Sequence, residues 1–411
     1  MSAAPRCLGC GAALELTLVD LGHQPLSNAN VRPEDAGSPD RVFALHARVC
    51  EECWLVQVDA VVPPDAIFND DYAYFSSYSE SWLEHCRTYA TEMTERFGLG
   101  PSNQVVEIAS NDGYLLQYFA ADGIPVLGVE PSANTAAVAV GKGVPTEVAF
   151  FGFGTATRLA AAGRSADLLA AKNVMAHVPD INDFVAGVAE ILKPEGVFTV
   201  EFPHLLRTLE RVQFDQIYHE HFTYLSLLAV ERVFQRHGLR VFDVQELSTH
   251  GGSLRVFACL AAAGHTEAPG VAHVRALEHA AALDARAGYL DFTAKVEKVR
   301  DDLMSFLAEA RAAGRTVLGY GAAAKGNTLL NYAGVTASEL PMIADRSAAK
   351  QGRLTPGGRI PIVAPETLLE ERPDYVLILP WNLRDEVAEQ LGDVRAWGGR
   401  FVTAVPSLEV W

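Results

Sequence analysis

The sequence has no apolar run near the roughly 18 residues that a membrane-spanning helix needs, so no span is expected. Its first residues, MSAAPRCLGC, lack the basic-then-apolar layout of a secretory leader, and a cytoplasmic location is the default expectation. Positive charge is in short supply. There are 33 Lys and Arg against 51 Asp and Glu, for a net charge of −18. That balance excludes a broad basic surface for a nucleic-acid backbone, but it leaves room for a small local basic site that takes one diphosphate. Short-period repeats and low-complexity segments are absent. Cysteine is scarce as well, with six in 411 residues. Four of them form two pairs near the N-terminus, while Cys86 and Cys259 stand alone. In a chain expected in the cytoplasm, that distribution points to metal binding and away from disulfides.

What is present is ordinary globular material: 49% apolar and 20% charged residues. A chain of this length is expected to form two or three domains with ample buried cores. Cys7-Leu-Gly-Cys10 and Cys50-Glu-Glu-Cys53 make a C-x2-C…C-x2-C set. Two-residue spacing lets both thiolates of a turn face one ion, and two such turns complete a tetrahedral all-sulfur site. A closed site of this kind has no position open for water, so the expectation is one structural zinc per chain. Four buried thiols or a redox pair are the bland alternatives.

From about residue 100 the pattern alternates. QVVEIAS, IPVLGVEPS, ADLLAAKNVMAHV and GVFTVEFP read as strands, with helical stretches between them. This predicts an α/β fold with a doubly wound parallel sheet. The first strand runs into Glu107-Ile-Ala-Ser110-Asn111-Asp112-Gly113, and the second ends in Glu130, where an acid can accept from ribose hydroxyls. The full G-x-G-x-x-G of a dinucleotide site is missing, and Asp112 would repel a phosphate. A ligand with a ribose and a zwitterionic tail suits the loop better than NAD, and S-adenosylmethionine fits. GLRVFDVQEL and GGSLRVFACLAA follow as a terminal antiparallel hairpin, an arrangement typical of class I methyltransferases. A helix-rich segment then spans about residues 268–313. A second α/β unit comes after it: RTVLGYGAAAKGNTLLNYAG as strand, Gly-rich turn and helix, LPMIADRS ending a strand in Asp345, PDYVLILPWN, and GGRFVTAVPS as the expected last strand. Gly319-x-Gly321 with Lys325 suits a phosphate or diphosphate held by the turn and the helix start. Whether the two α/β units are a duplication stays open at this level.

The stretch QFDQIYHEHFTYLS places Tyr218, His219, Glu220 and His221 consecutively. It can be read as a metal site, an acid/base cluster or polar filler. The metal reading lacks the second helical histidine of H-E-x-x-H. Lone histidines such as His177 and His250 are more often satisfied loop residues than catalysts, and the aromatic group Tyr72, Tyr74, Phe75 and Tyr78 can equally be a patch.

Taken in order, the four-cysteine module, YAYFSSYSESWLEH, VVEIASNDGYLLQYF, NVMAHVPD, QFDQIYHEHFTYLS, THGGSLRVF, GYGAAAKGNTLLNY and LILPWN resemble the S-adenosylmethionine-dependent sugar C-methyltransferases. Those enzymes act on nucleotide-linked 4-keto deoxysugars in antibiotic biosynthesis. The resemblance covers nearly the whole chain. It implies a zinc module at 1–65, a Rossmann-like class I methyltransferase domain at 66–263 and a C-terminal Rossmann-like α/β domain for the sugar nucleotide at 264–411, with the sugar between domains. It further implies His221 as the base that removes the proton beside the ketone, Glu220 as its orienter or a sugar contact, and Tyr218 near the C4 oxygen. His177 and Tyr72 would face the sugar. Glu107, Ser110, Asn111, Gly113, Glu130 and Asn173 match the cofactor stations, and His250, Gly251, Gly252, Arg255, Lys325 and Asn382 the sugar nucleotide. His219 receives no catalytic role, because some relatives carry Asp there. The expected substrate is a dTDP-4-keto-deoxyhexose methylated at C3 or C5. An NAD(P)-dependent sugar-nucleotide oxidoreductase, an O- or N-methyltransferase and a non-catalytic zinc scaffold are the rival readings. The oligomeric state is open, and a monomer is compatible with the sequence.

Overall fold

The computed structural model of the chain describes residues 5–59, 62, 76–78 and 80–411, the side chain of Tyr78 excepted. Tyr72, Tyr74 and Phe75 lie outside the described residues. Among the described residues, no helix is long and apolar enough to cross a membrane.

The described residues form three sheets. The first begins with β1 (Leu16–Pro25), β2 (Val42–Val49) and β3 (Val56–Val58), all antiparallel. The central domain follows with β4 (Val105–Ile108), β5 (Val126–Val129), β6 (Thr146–Glu147), β7 (Ala166–Lys172) and β8 (Leu192–Pro203). β4 and β5 are buried at every position, as expected of strands covered on both faces. The short β9 (Thr223–Tyr224) departs from this sheet and pairs antiparallel with β3, Val56 opposite Tyr224, which makes it the fourth strand of the N-terminal sheet. The seven-stranded sheet is then closed by β10 (Leu239–Leu247) and β11 (Ser253–Leu260), in the order β10-β11-β8-β7-β4-β5-β6. β11 is antiparallel to both neighbours, which is the hairpin read from the sequence.

The C-terminal sheet comprises β12 (Val317–Tyr320), β13 (Ile343–Ala344), β14 (Ile362–Val363), β15 (Tyr375–Ile378), β16 (Arg400–Thr403) and β17 (Glu409–Val410), in the order β14-β13-β12-β15-β16-β17. β16, expected as the last strand, is followed by the antiparallel β17. The two α/β units share one topology. Five parallel strands are arranged with the first in the middle, β6-β5-β4-β7-β8 in one and β14-β13-β12-β15-β16 in the other, and an antiparallel strand follows on the same edge. The duplication that the sequence left open is therefore present in the fold.

The cores interlock. Cys7, Cys50 and Cys53 pack in one cluster with Val106, Phe198 and Val233 of the central domain. Leu18 and Val19 of β1 share a second cluster with Phe292, Val296 and Leu329. The helix-rich segment resolves into Pro269–Ala280 and Phe292–Ala312. Val271 and Val274 of the first pack into the central core. Glu278 on that helix accepts from the N–H groups of Leu227 and Leu228, at the N-terminus of the helix Leu227–Arg236 that Ser226 also caps.

Candidate active site

The loop after β4 turns sharply. Ala109, Asn111 and Gly113 all have positive φ. At Gly113 a side chain would press on Val144 and Ala139 at 3.2 and 3.3 Å, so glycine fits both the angle and the space. Glu130, at the carboxyl end of β5, accepts from Asn111 N through Oε2 and from Ser132 N through Oε1, both at 2.9 Å. Burial raises its pKa, and those two N–H donors oppose the rise. The buried Ser110 Oγ and Asn173 Oδ1 have no hydrogen-bond partner among the described residues. Glu107 is fully buried, which lifts it well above the ordinary carboxylate range, and the Tyr114 phenol offsets this only in part. The Asn111 side chain takes a different task, accepting from Ser76 N at 3.0 Å. Asp112, read as a deterrent to phosphate, accepts from Lys142 Nζ at 3.0 Å and from the Ser77 hydroxyl; it ties down the loop.

The ionisable cluster meets the turn after β7, where Phe222 N donates to Ala176 O at 2.7 Å. His221 Nδ1–H donates to Gln216 O at 2.9 Å, which leaves Nε2 as the unprotonated nitrogen, and the Tyr218 hydroxyl donates to it at 2.9 Å. Desolvation, helped by His177, keeps the His221 pKa well below 6.5. The His177 ring stands edge-on to His221, with centroids 4.6 Å apart. Desolvation takes His177 and His250 each to about 4. All three imidazoles are therefore neutral near pH 7. His219 packs on Phe43 of β2, with its Nε2 3.3 Å from Phe43 O. Glu220 is buried, its pKa is raised, and it accepts from Asn28 Nδ2 at 2.6 Å.

The C-terminal domain closes the far side. Asn173 Nδ2 donates to His250 Nε2 at 3.2 Å, which links the β7 loop to the β10–β11 turn. Gly251 follows; a Cβ there would come within 2.4 Å of the Trp381 ring, and one on Gly252 within 2.8 Å of Arg207. Both glycines thus serve close packing of the turn. The Trp381 indole N–H donates to Asp215 Oδ2 at 2.7 Å, and the Lys325 ammonium lies 4.8 Å over its ring and donates to Asn382 Oδ1 at 3.3 Å. Desolvation raises Asp215 to about 6 and lowers Lys325, each opposing the other's shift. Asp345, at the end of β13, accepts from Ala322 N in the Gly-rich turn and from Ser347 N, both at 2.8 Å. This repeats the bonds of Glu130 in the other α/β unit.

The structure does not bring Arg255 to this surface. Its guanidinium is spent on Glu201 at 2.7 Å and on Glu92 and Gln245 at 2.9 Å. Glu201 also accepts from Lys172 and, at 2.8 Å, from His85. Burial alone would raise Glu201, but Lys172, His85 and Arg255 together hold it well below the ordinary range. This buried network, Asp215 and Asn28 carry no local signal in the sequence.

Three family models match in series: a zinc binding domain at residues 7–68, a methyltransferase domain at 82–244 and a C-methyltransferase C-terminal domain at 248–406. The C-methyltransferase NovU of Streptomyces niveus is 38% identical over 404 residues, which cover 98% of this chain and 96% of that protein. The chain belongs to this family of C-methyltransferases. More distant likenesses include an S-adenosylmethionine-dependent methyltransferase from Clostridium acetobutylicum, at 13% identity and TM-score 0.36 over 43% of this chain and 92% of that one. Another is the magnesium protoporphyrin IX methyltransferase of Synechocystis with bound SAM, at 14% identity and TM-score 0.34 over 47% and 88%.

A C-methyltransferase of this kind takes its methyl from S-adenosylmethionine. The carboxyl edge of the sheet suits that donor: it carries a carboxylate at the end of β5 and the Ser110 and Asn173 oxygens, which have no partner among the described residues. The C-methyltransferase also binds zinc. The four cysteine sulfurs lie within 4.8 Å of one another, with Cys7–Cys53 at 3.5 Å and Cys10–Cys50 at 3.4 Å. Four thiolates about 2.3 Å from one zinc are about 3.8 Å apart, so the set fits with small adjustment. The two turns match. Cys7 O accepts from Gly11 N and Cys50 O from Trp54 N, both at 2.8 Å, and Gly11 and Trp54 are both left-handed. Asn182 and Arg236 of the central domain bond Leu8 O and Gly9 O, so the closed site docks on that domain in a structural role.

Proposed function

We propose that the chain methylates the carbon beside the C4 ketone, C3 in preference to C5, of a dTDP-linked 4-keto deoxyhexose in deoxysugar or antibiotic biosynthesis. The observation that carries this is the neutral His221, whose unprotonated Nε2 accepts from the Tyr218 phenol. Bound at the carboxyl edge of the central sheet, S-adenosylmethionine supplies an electrophilic methyl group on a sulfonium. His221 Nε2 would take the proton from the carbon next to the ketone, leaving an enolate as nucleophile. The desolvation that keeps His221 neutral also makes it a weaker base, so the enolate oxygen needs donors. The Tyr218 hydroxyl, released from Nε2 as the proton arrives there, would be the donor to that oxygen; His177 and Tyr72 are assigned to the same face by the family pattern alone.

Glu107, Ser110, Asn111, Gly113, Glu130 and Asn173 form the donor side. Lys325, Asn382 and the turn at His250–Gly252 form the wall on which the sugar nucleotide would lie. The repeat of the Glu130 arrangement at Asp345 supports a nucleoside on the C-terminal domain. Arg255 has no place in this assignment.

The test is incubation with S-adenosylmethionine and a panel of dTDP-4-keto sugars, with the product examined by NMR. A new C–CH3 next to the ketone is expected. A methyl on oxygen or nitrogen, or nicotinamide-dependent turnover, overturns the reading. Soaking with S-adenosylhomocysteine and the accepted sugar then identifies which ring carbon faces the sulfur.

A further inference from the structure

The loop between β1 and β2 reaches far from the zinc site. Asn28 Nδ2 donates to Glu220 Oε1 at 2.6 Å, across 192 residues of sequence. The loop is fixed on its other side by the C-terminal domain. Asn327 Nδ2 donates to Ser27 O at 2.7 Å, and Val31 and Leu354 exchange two backbone hydrogen bonds at 2.8 Å. A residue of the zinc module is thereby clamped where all three parts of the chain meet. Asn28 itself is exposed, whereas the carboxylate it touches is buried.

We propose that Asn28 is a positioning residue for Glu220, which makes the zinc module part of the sugar site. This rests on the sugar-nucleotide reading above. Glu220 is next to His221, and the His177 ring bonds to its backbone. A buried carboxylate without a donor tends to take up a proton and turn. Asn28 is the side-chain donor that opposes this at Glu220. The other carboxylate oxygen then remains an acceptor for a hydroxyl or ammonium group on the sugar, next to the reacting carbon. The ionisable groups around Glu220 are His177 on the adjoining turn and Tyr218, His219 and His221 on its own segment. Desolvation keeps the three imidazoles neutral, so none of them supplies a competing charge.

The experiment compares wild type with Asn28→Ala and Asn28→Asp, each checked for unchanged zinc content and thermal midpoint. Glutamate labelled at Cδ with carbon-13 allows NMR titration of Glu220, assigned with Glu220→Gln. In Asn28→Ala the Glu220 titration is expected to move up by about one pH unit, because a donor to the ionised form is gone. KM for the sugar nucleotide is expected to rise about tenfold, with kcat and the Kd for S-adenosylmethionine within about twofold. Asn28→Asp places two carboxyl groups together. It should behave like Asn28→Ala near pH 8, where both ionise, and recover below about pH 6, where a shared proton restores a donor. A merely structural asparagine gives no such pH-dependent rescue. An unmoved Glu220 titration, or an unmoved KM, overturns the proposal. If wild type turns over no sugar nucleotide, the functional reading fails instead, and the titration alone decides whether Asn28 governs Glu220.

Discussion

Two hydrogen bonds set the tautomer and surroundings of His221. The Gln216 carbonyl fixes its tautomer, and the Tyr218 phenol donates to the unprotonated nitrogen. With its pKa below the usual 6.5, the basic form is already dominant at pH 6.5. The acid limb of kcat/KM is therefore expected below pH 6.5, with the rate falling as pH drops through the lowered pKa. His221→Asn should cost about a thousandfold or more in kcat and should also stop solvent exchange of the proton beside the ketone. Isothermal titration should show an S-adenosylmethionine Kd near that of wild type. Undiminished turnover in this variant removes His221 from the role. Arg255 is the opposite case, a residue that looks ligand-facing in sequence and is committed inside the fold. Arg255→Met leaves Glu201 short of a cation, and breaking a buried pair of this kind costs about 3–5 kcal/mol in unfolding free energy. Urea denaturation should show that loss. A folded variant with normal stability but a raised KM for the sugar nucleotide would restore the substrate-binding assignment.

At the scale of elements, the turn Thr249–Gly251 shows how a glycine pair read as a binding motif earns its place through packing. His250 and Gly251 both have positive φ, and Trp381 leaves no space for a Cβ on Gly251. Gly251→Ala must push the indole off its contact and strain the backbone, at a cost of about 1–3 kcal/mol. Because Trp381 also holds Asp215 and lies under Lys325, the same variant should weaken sugar-nucleotide binding more than donor binding. Thermal denaturation and the two KM values check this; a stable Gly251→Ala enzyme with unaltered constants contradicts it. The strand β9 is the second such element. Two residues that follow the His-Glu-His segment leave one sheet and pair in another. The His-Glu-His segment is thus strung between the central domain and the zinc module.

For the whole molecule, that connection would couple the metal to the proposed catalysis. The cysteine turns share a core with the central domain, and β3 of the same module anchors β9. One zinc per chain is expected by elemental analysis of freshly purified protein. Cys50→Ser should lose it and lower the thermal midpoint by about 10 °C or more, since zinc binding free energy is folding free energy in modules of this type. Activity should fall along with it even though no cysteine touches substrate. Full zinc loss with an unchanged midpoint and normal turnover rules out the coupling.

Local sequence sets the elements and the chemistry available. Apolar β-branched runs such as VVEI and VLGV specify buried parallel strands wherever they fold, because burial on both faces is a property of the run. The paired Cys-x-x-Cys turns specify a metal cluster because ligand spacing is local. Glu130 was legible because an acid at the end of the second strand has a fixed place in this topology. Tertiary structure alone decided which polar residues meet. Arg255 and Lys325 are both cations after strands or turns, yet one is consumed by Glu201 and the other faces His221 and His250. Asn28 and Glu220 are 192 positions apart, and no local pattern marks either as the other's partner. The interlocked cores and the placement of β9 in the zinc module's sheet follow from the same cause. Hydrogen-bond partners across long sequence separations are chosen by the packing of the whole chain, and that choice is made only once the three sheets are in place.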